Sequence, residues 1–287
     1  MTQTCSKTTD LCLISHSLKK KIEKTVLTQL QEHLTGNGLL ETYQSAYRKE
    51  HSTKTALLSV TDSLLSNTDN RLASIVAFLD LSAAFDTPGH KIMLKRLNIT
   101  YGIHAKALQW MSSYLSDRQQ SVTIGSISSK SVPLQSGVLQ GSVLGPILFT
   151  LYTQPLSNTI QKHQFDYHKY ADDTELEKAA LPSDFSQVSR ETEVCVADVN
   201  DWMNKNKLKL NKEKTELLVL EDRTRLCQVK KEPLTFGPNA FPFQTSAKYL
   251  GVHLDETLST KEAGDFSLPL IRLSPAQDSL YQTIPFR

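Results

Sequence analysis

Asp80 is the first residue whose place invites chemistry. It follows Ile75, Val76, Phe78 and Leu79 and precedes Leu81, in a stretch, Ser74 to Leu81, that is short, β-branched and apolar on both faces. Such a stretch reads as a buried central strand. An ionised carboxylate there costs several kcal/mol unless it is paired or holds a metal. The plain alternative is a strand that ends at the surface and turns. The second oddity is Tyr170–Ala171–Asp172–Asp173, two adjacent acids between two short strand patterns. Adjacent like charges repel, although Asp is also common in ordinary turns. A divalent cation would remove the repulsion. Carboxylates at a hairpin tip and at the end of a neighbouring strand can share two metals about 3.5–4 Å apart. Mg²⁺ suits such a place, since it takes a few carboxylates and leaves positions for substrate phosphates. The third feature is the glycine-rich run from Gly137 to Pro146. Gly137 and Gly141 let backbone approach a ligand, and Ser142 can cap a helix behind them. The spacing is not that of a P-loop. A plain glycine turn into a buried helix explains it as well.

The elements that must position these residues follow from periodicity. Helices are expected over Leu18–Leu40, Thr53–Leu65, His90–Leu97, Ala105–Leu115, Val143–Leu156 and Ser186–Asn204. Ile22, Val26, Leu27, Leu30 and Leu34 mark the apolar face of the first, and Leu57, Leu58, Val60, Leu64 and Leu65 that of the second. Strands are expected over Gln120–Ile124, Ser131–Leu134, Phe165–Tyr170, Thr174–Glu177, Glu216–Leu220 and Ala247–Leu254. Helices and strands mix without regular alternation, which favours an α+β fold over a doubly wound sheet.

Composition narrows the classes. The chain has 287 residues, 39% apolar and 22% charged, with a net charge of +2. It is neither fibrous nor wholly disordered, and it is long enough for one large or two modest domains. No apolar run is long enough for a membrane span and no secretory h-region is visible, so an intracellular protein, nuclear or cytoplasmic and not secreted, is expected. The four cysteines, Cys5, Cys12, Cys195 and Cys227, lie far apart and suit neither a zinc site nor a disulfide framework. Between Met203 and Lys231 nine Lys/Arg face four acids. Such an excess fits a phosphate footprint, and equally a solvated helix or hairpin face.

Seven ordered stretches carry a resemblance. They are Gln44 to Thr53 (QSAYRKEHST), Phe78 to Thr87 (FLDLSAAFDT), Ser113 to Arg118 (SYLSDR), Gly141 to Pro146 (GSVLGP), Tyr170 to Thr174 (YADDT), Leu208 to Glu216 (LKLNKEKTE) and Tyr249 to Val252 (YLGV). In this order the chain resembles the reverse transcriptase domain of non-LTR (LINE-type) retrotransposons, across about residues 18 to 258. The resemblance implies a right-hand polymerase fold of fingers and palm, with an antiparallel palm sheet and packed helices. It implies that Asp80, Asp172 and Asp173 are the catalytic metal-binding aspartates, with the Leu81 carbonyl as a further ligand. Phe85 matches the steric gate against a ribose 2′-OH. Gln140 and Gly141 match residues that contact the incoming nucleotide. Arg48 matches a fingers arginine on the triphosphate, and Lys214 a lysine that protonates the leaving pyrophosphate. The implied cofactors are two Mg²⁺ ions, or Mn²⁺. The implied partners are an RNA template, a DNA primer and deoxynucleoside triphosphates, with no membrane. The implied activity is RNA-directed DNA polymerisation by two-metal nucleotidyl transfer.

The resemblance also divides the chain. Residues 1–74 are expected to form an N-terminal region and fingers, 75–113 the first part of the palm, 114–135 a fingers/palm hairpin region, and 136–258 the second part of the palm. Residues 259–287 read as a divergent tail where a thumb would stand, so the thumb is expected to be missing or vestigial. The chain departs from the family at Leu139, where Pro is usual, at Glu50, where Gly is usual beside Arg48, and at Cys12–Leu13–Ile14–Ser15, which lacks the family's arginine. The missing thumb, the altered box at Cys12–Leu13–Ile14–Ser15 and Leu139 favour a rival reading: a decayed, non-catalytic retroelement fragment that at most binds nucleic acid.

Overall fold

The computed structural model describes residues 6–124, 127–138, 141–221, 229–237, 239–256 and 258. Leu139, Gln140 and the 259–287 tail lie outside these residues. The chain opens with α1 (Ser6–Gly36), α2 (Thr53–Asp69), β1 (Ala73–Leu79), α3 (His90–Ile99) and α4 (Ala105–Leu115). Two-residue strands β2 (Gln119–Gln120), β3 (Thr123–Ile124), β4 (Ile127–Ser128) and β5 (Val132–Pro133) make small hairpin ladders, β2 with β5 and β3 with β4. Then come α5 (Gly145–Thr153), α6 (Leu156–Lys162), β6 (Asp166–Tyr170), β7 (Asp173–Ala180), α7 (Phe185–Lys205) and β8 (Glu216–Leu220). The final strands are β9 (Leu234–Phe236), β10 (Asn239–Phe241), β11 (Phe243–Gln244), β12 (Ser246–Tyr249) and β13 (Val252–Asp255). Among the described residues no helix is long and apolar enough to cross a membrane.

The main sheet has the order β11-β8-β1-β7-β6. The four strands from β8 to β6 pair antiparallel, as expected of a palm. The edge departs from that expectation: β11 joins β8 in parallel. All seven residues of β1 are buried, because both faces of the sheet are covered. Ala77, Leu79, Leu176 and Leu217 face the larger core with α5 and α7. Val76, Phe78, Leu218 and Leu220 face Leu57, Val60 and Leu64 of α2 and Ala247, Tyr249 and Leu254 of the β12–β13 hairpin.

Several boundaries differ from the sequence expectation for physical reasons. A single helix over 143–156 becomes α5 and α6, with the break at Gln154–Pro155, where proline has no N–H to continue the ladder. One strand over 247–254 becomes the β12–β13 hairpin. Leu250 (φ 48°) and Gly251 (φ 85°) both take the left-handed conformation that a two-residue hairpin turn requires. Helix α2 starts where expected because Ser52 and Thr55 form a reciprocal capping box. Of its apolar residues, Leu58 and Leu65 stay exposed, as does Ile22 of α1.

Residues 43–45 lie along the outer edge of β6. The Lys169 amide donates to the Tyr43 carbonyl (2.8 Å), and the Ser45 amide donates to the Lys169 carbonyl (3.0 Å). Lys169 itself is 1% exposed, and its Nζ lies 3.0 Å from Glu41 Oε2. A buried ion pair thus ties the segment after α1 to the sheet, close to the tip of the β6–β7 hairpin.

Candidate active site

Asp80 stands one residue beyond the end of β1. The β1–β7 register pairs Leu79 with Thr174. Carried one residue further, it sets Asp80 across from Asp173. Asp172 is the neighbouring residue in the β6–β7 turn, where Tyr170 pairs with Asp173. The turn is tight because Ala171 takes φ 56°. The third side is the segment before β8. Asn211 donates its backbone N–H to the Asp80 carbonyl (2.8 Å) and its Nδ2–H to Asp80 Oδ2 (3.2 Å). Lys214 Nζ lies 3.4 Å from the same Oδ2, and its side chain is 71% exposed. Leu81 bridges antiparallel to Leu210, flanked by the bonds of Asp80 and Ser82 to that segment. In this pattern the Leu81 carbonyl turns away from Leu210, toward the side where β7 lies.

The three carboxylates feel one another. Burial pushes the Asp173 carboxyl up to about 6, helped by Asp172 and Asp80 and opposed by Lys214. Asp172 is raised too, by burial first and then by Asp80, against its own backbone hydrogen bond and Lys214. Hard oxygen ligands that repel one another form a donor set fit for a divalent cation such as Mg²⁺. No group of three His, Cys, Asp or Glu side chains is set as a ready metal cluster among the described residues. Here Lys214 and Asn211 hold Asp80. Mg²⁺ tolerates this, because it is bound through one or two carboxylates and completes its shell with water and phosphate.

Burial of Asp173, with the repulsion added to it, has a measurable consequence. Folding raises the Asp173 pKa from 3.8 to about 6, so ionisation opposes folding. As pH rises from 3.8 toward 6 the unfolded chain loses its proton first, and stability falls; above about 6 the loss is complete. In metal-free buffer, Asp173→Asn is therefore expected to raise the melting temperature at about pH 7.5 and to leave it unchanged at about pH 3.5. An equal shift at both pH values would refute the electrostatic account.

Residues that the sequence reading left without a role support the turn. Gln44 is buried, and its Oε1 accepts the Ala171 amide (3.1 Å) and the Ala46 amide (2.9 Å). Its Nε2 donates to the Ala171 carbonyl (3.4 Å). One side chain thus brackets the peptide just before the aspartate pair. The Tyr47 phenol is raised by burial and then by the field of Asp172. Below the aspartates, His168 sits between Ser45 Oγ (3.0 Å) and the Tyr249 hydroxyl (3.3 Å). Burial pushes its imidazole down to about 4, so it is neutral at pH 7. Tyr249 opens the YLGV stretch, so that stretch packs directly beneath the site. Only its position in a quoted stretch marked Gln44 beforehand; no spacing rule ties it to Ala171.

The remaining residues singled out from the sequence lie around this cleft or apart from it. Phe85 is half-buried, with its ring stacked on Phe149 of α5 at 4.6 Å between centroids. Its carbonyl accepts the Val138 amide (2.7 Å), so the Phe85 loop and the glycine run are joined. Gly137 needs to be glycine twice over: φ is 90°, and a Cβ would meet the Asp86 backbone at 2.9 Å. Gly141 has φ 74° and open space where a Cβ would stand. Arg48 points its Nη1 at the carbonyls of Glu41 (2.7 Å), Thr42 (3.2 Å) and Gln44 (3.3 Å). In this structure it caps its own loop. Glu50 pairs with Lys49 (3.6 Å) and has φ 65°, which explains why a glycine would serve there.

Comparison with known proteins points to one family. The family model for reverse transcriptase (RNA-dependent DNA polymerase) matches residues 10–254. A probable RNA-directed DNA polymerase from transposon BS of Drosophila melanogaster is 27% identical over 259 residues, covering 85% of this chain and 27% of the relative. The RNA-directed DNA polymerase from mobile element jockey of the same organism is 25% identical over 250 residues, covering 85% and 26%. The chain thus spans about a quarter of the length of these curated relatives. Among solved structures, telomerase from Candida tropicalis in complex with a fragment of telomeric RNA superposes with a TM-score of 0.63 at 12% identity. The match covers 98% of this chain and 44% of the telomerase, and shows a shared polymerase fold. With its aspartates at the ends of β1 and β7 in that fold, the chain belongs to the reverse transcriptase family, as a reverse transcriptase domain of the non-LTR, LINE-type kind.

Proposed function

We propose that this chain is the fingers-and-palm core of an RNA-directed DNA polymerase, joining deoxynucleotides to a primer 3′-OH on an RNA template. The observation that carries the reading is that Asp80, Asp172 and Asp173, all half-buried, act on one another at one end of an otherwise buried sheet. We assign residues 75–113 and 136–258 to the palm, and the regions before and between them to fingers. Two Mg²⁺ or Mn²⁺ ions, when bound by these carboxylates with the Leu81 carbonyl, supply charge neutralisation for the phosphates and a more acidic primer hydroxyl. The chain's own residues then position the parts, which is most of the catalysis in phosphoryl transfer. Asn211 fixes the Asp80 carboxylate, and Gln44 fixes the turn that carries Asp172. Lys214, exposed and unpacked, exchanges Asp80 for the leaving pyrophosphate and donates a proton to it. Phe85, braced by Phe149, closes the space beside the sugar 2′ position. Gln140 and Gly141 flank the nucleotide, and Arg48 turns from its carbonyls to the triphosphate.

Primer extension tests this. Purified chain, a labelled DNA primer on an RNA template, deoxynucleotides and Mg²⁺ are expected to yield template-dependent products. Binding of primer–template without any extension would favour the decayed-fragment reading. Hydrolysis of small phosphates without template dependence would replace the polymerase by a phosphohydrolase.

A further inference from the structure

A second surface lies behind the glycine run, between α1 and α4. There Lys19, Ile22, Glu23, Trp110, Tyr114 and Arg118 line a cavity of about 230 Å³. Its aromatic wall is a ladder at four-residue spacing on α4 and the turn after it. The Trp110 and Tyr114 rings lie nearly parallel (12°) with centroids 5.3 Å apart. The Arg118 guanidinium lies over the other end, 5.0 Å from the Tyr114 centroid. Trp110 and Arg118 are both partly open to solvent. Lys19 of α1 and Arg118 put cations on the rim, and the exposed Lys20 stands next to Lys19. The acid among them, Glu23, is 5% exposed, and its Oε2 accepts the Val143 amide at 2.7 Å. That bond joins the cavity wall to the loop two residues beyond Gly141.

We propose that this cavity holds an unpaired base of a single-stranded RNA, stacked on Trp110, with its phosphates on Lys19, Lys20 and Arg118. Alternating aromatic faces and cations form the usual platform for single-stranded nucleic acid. A strand whose bases are already unpaired can offer one to a wall of this kind; a duplex cannot. The cavity is open to solvent on one side, so a base can reach the Trp110 ring from outside. The charge of the rim selects a polyanion over a protein helix. The proposal rests on the polymerase reading in one respect: it makes this strand the template ahead of the site, delivered past Val143 to Gly141.

Binding of a short unstructured RNA to the purified full chain, followed by fluorescence anisotropy and tryptophan quenching, tests it. The chain has two tryptophans, and only Trp110 lines this cavity. RNA is expected to quench the wild type and not Trp110→Phe. Trp110→Ala is expected to weaken RNA binding about 10- to 100-fold. A Lys19→Glu/Lys20→Glu variant, altered only on an exposed helix face, is expected to weaken binding and flatten its salt dependence. Binding of a blunt RNA–DNA duplex is expected to stay unchanged in all three. Wild-type RNA affinity in both the Ala and the Glu variants would overturn the proposal. So would an equal loss on the duplex, or a change confined to self-association of the RNA-free chain, which would make the face a protein contact. Asp80→Asn separates the two readings, since it is expected to keep RNA binding while losing extension.

Discussion

Asp80→Asn is expected to cost the proposed primer extension about 10³-fold or more, while the fold survives. The substitution keeps the size of the side chain. It also leaves intact the backbone bond from Asn211 to the residue 80 carbonyl. What it removes is one negative charge from the set formed with Asp172 and Asp173. Metal-assisted phosphoryl transfer depends on that charge for several kcal/mol, and each ~1.4 kcal/mol is tenfold in rate. Relieving repulsion among three carboxylates does not destabilise the apo chain, so its melting temperature is expected to hold or rise. Steady-state extension and a thermal melt on the same preparation check both halves. Activity within about tenfold of wild type would remove Asp80 from the chemistry.

Lys169→Met is expected to have the largest effect on stability, about 3–5 kcal/mol. Lys169 is almost wholly enclosed, and Nζ meets Glu41 Oε2 at 3.0 Å. Glu41 also accepts bonds from Ser157 Oγ (2.5 Å) and the Tyr167 hydroxyl (2.7 Å). Removing the ammonium strands a buried carboxylate, and that penalty exceeds the worth of the pair itself. The double variant Glu41→Gln/Lys169→Met removes both charges and is expected to recover most of the loss. Urea unfolding of the two single variants and the double variant measures the coupling. Additive losses would show that the charges do not interact. A functional effect follows from place. Lys169 anchors the segment that carries Gln44, Tyr47 and Arg48, so a loosened pair is expected to raise the nucleotide KM before it lowers kcat.

The candidate site was legible where a residue broke its local pattern. Asp80 stood out as a carboxylate at the end of an apolar run, and Asp172–Asp173 as adjacent charges in a turn. Helix α4 and strand β8 fall at the bounds that periodicity gives, because each has enough residues for a period to show. Strands β9 to β11 have two or three residues each, too few for any period, and they escaped notice. The β12–β13 turn escaped too, because Leu250 is an unexpected residue for a left-handed conformation.

By itself the amino-acid sequence determined the identity and order of the chemical groups, the class of fold and the family. Those properties are local or are carried by order along the chain. Tertiary structure alone decided that Asp80, one residue past the β1–β7 ladder, comes within the electrostatic reach of Asp172 and Asp173, that Gln44 grips the turn 127 residues away, and that Lys169 is buried against Glu41. It also decided that Ile22, Leu58 and Leu65 face solvent although their spacing fits a core. The reason is the same in each case. Register, long-range hydrogen bonds and burial depend on which surface comes to lie against which, and a residue's neighbours in sequence do not carry that information.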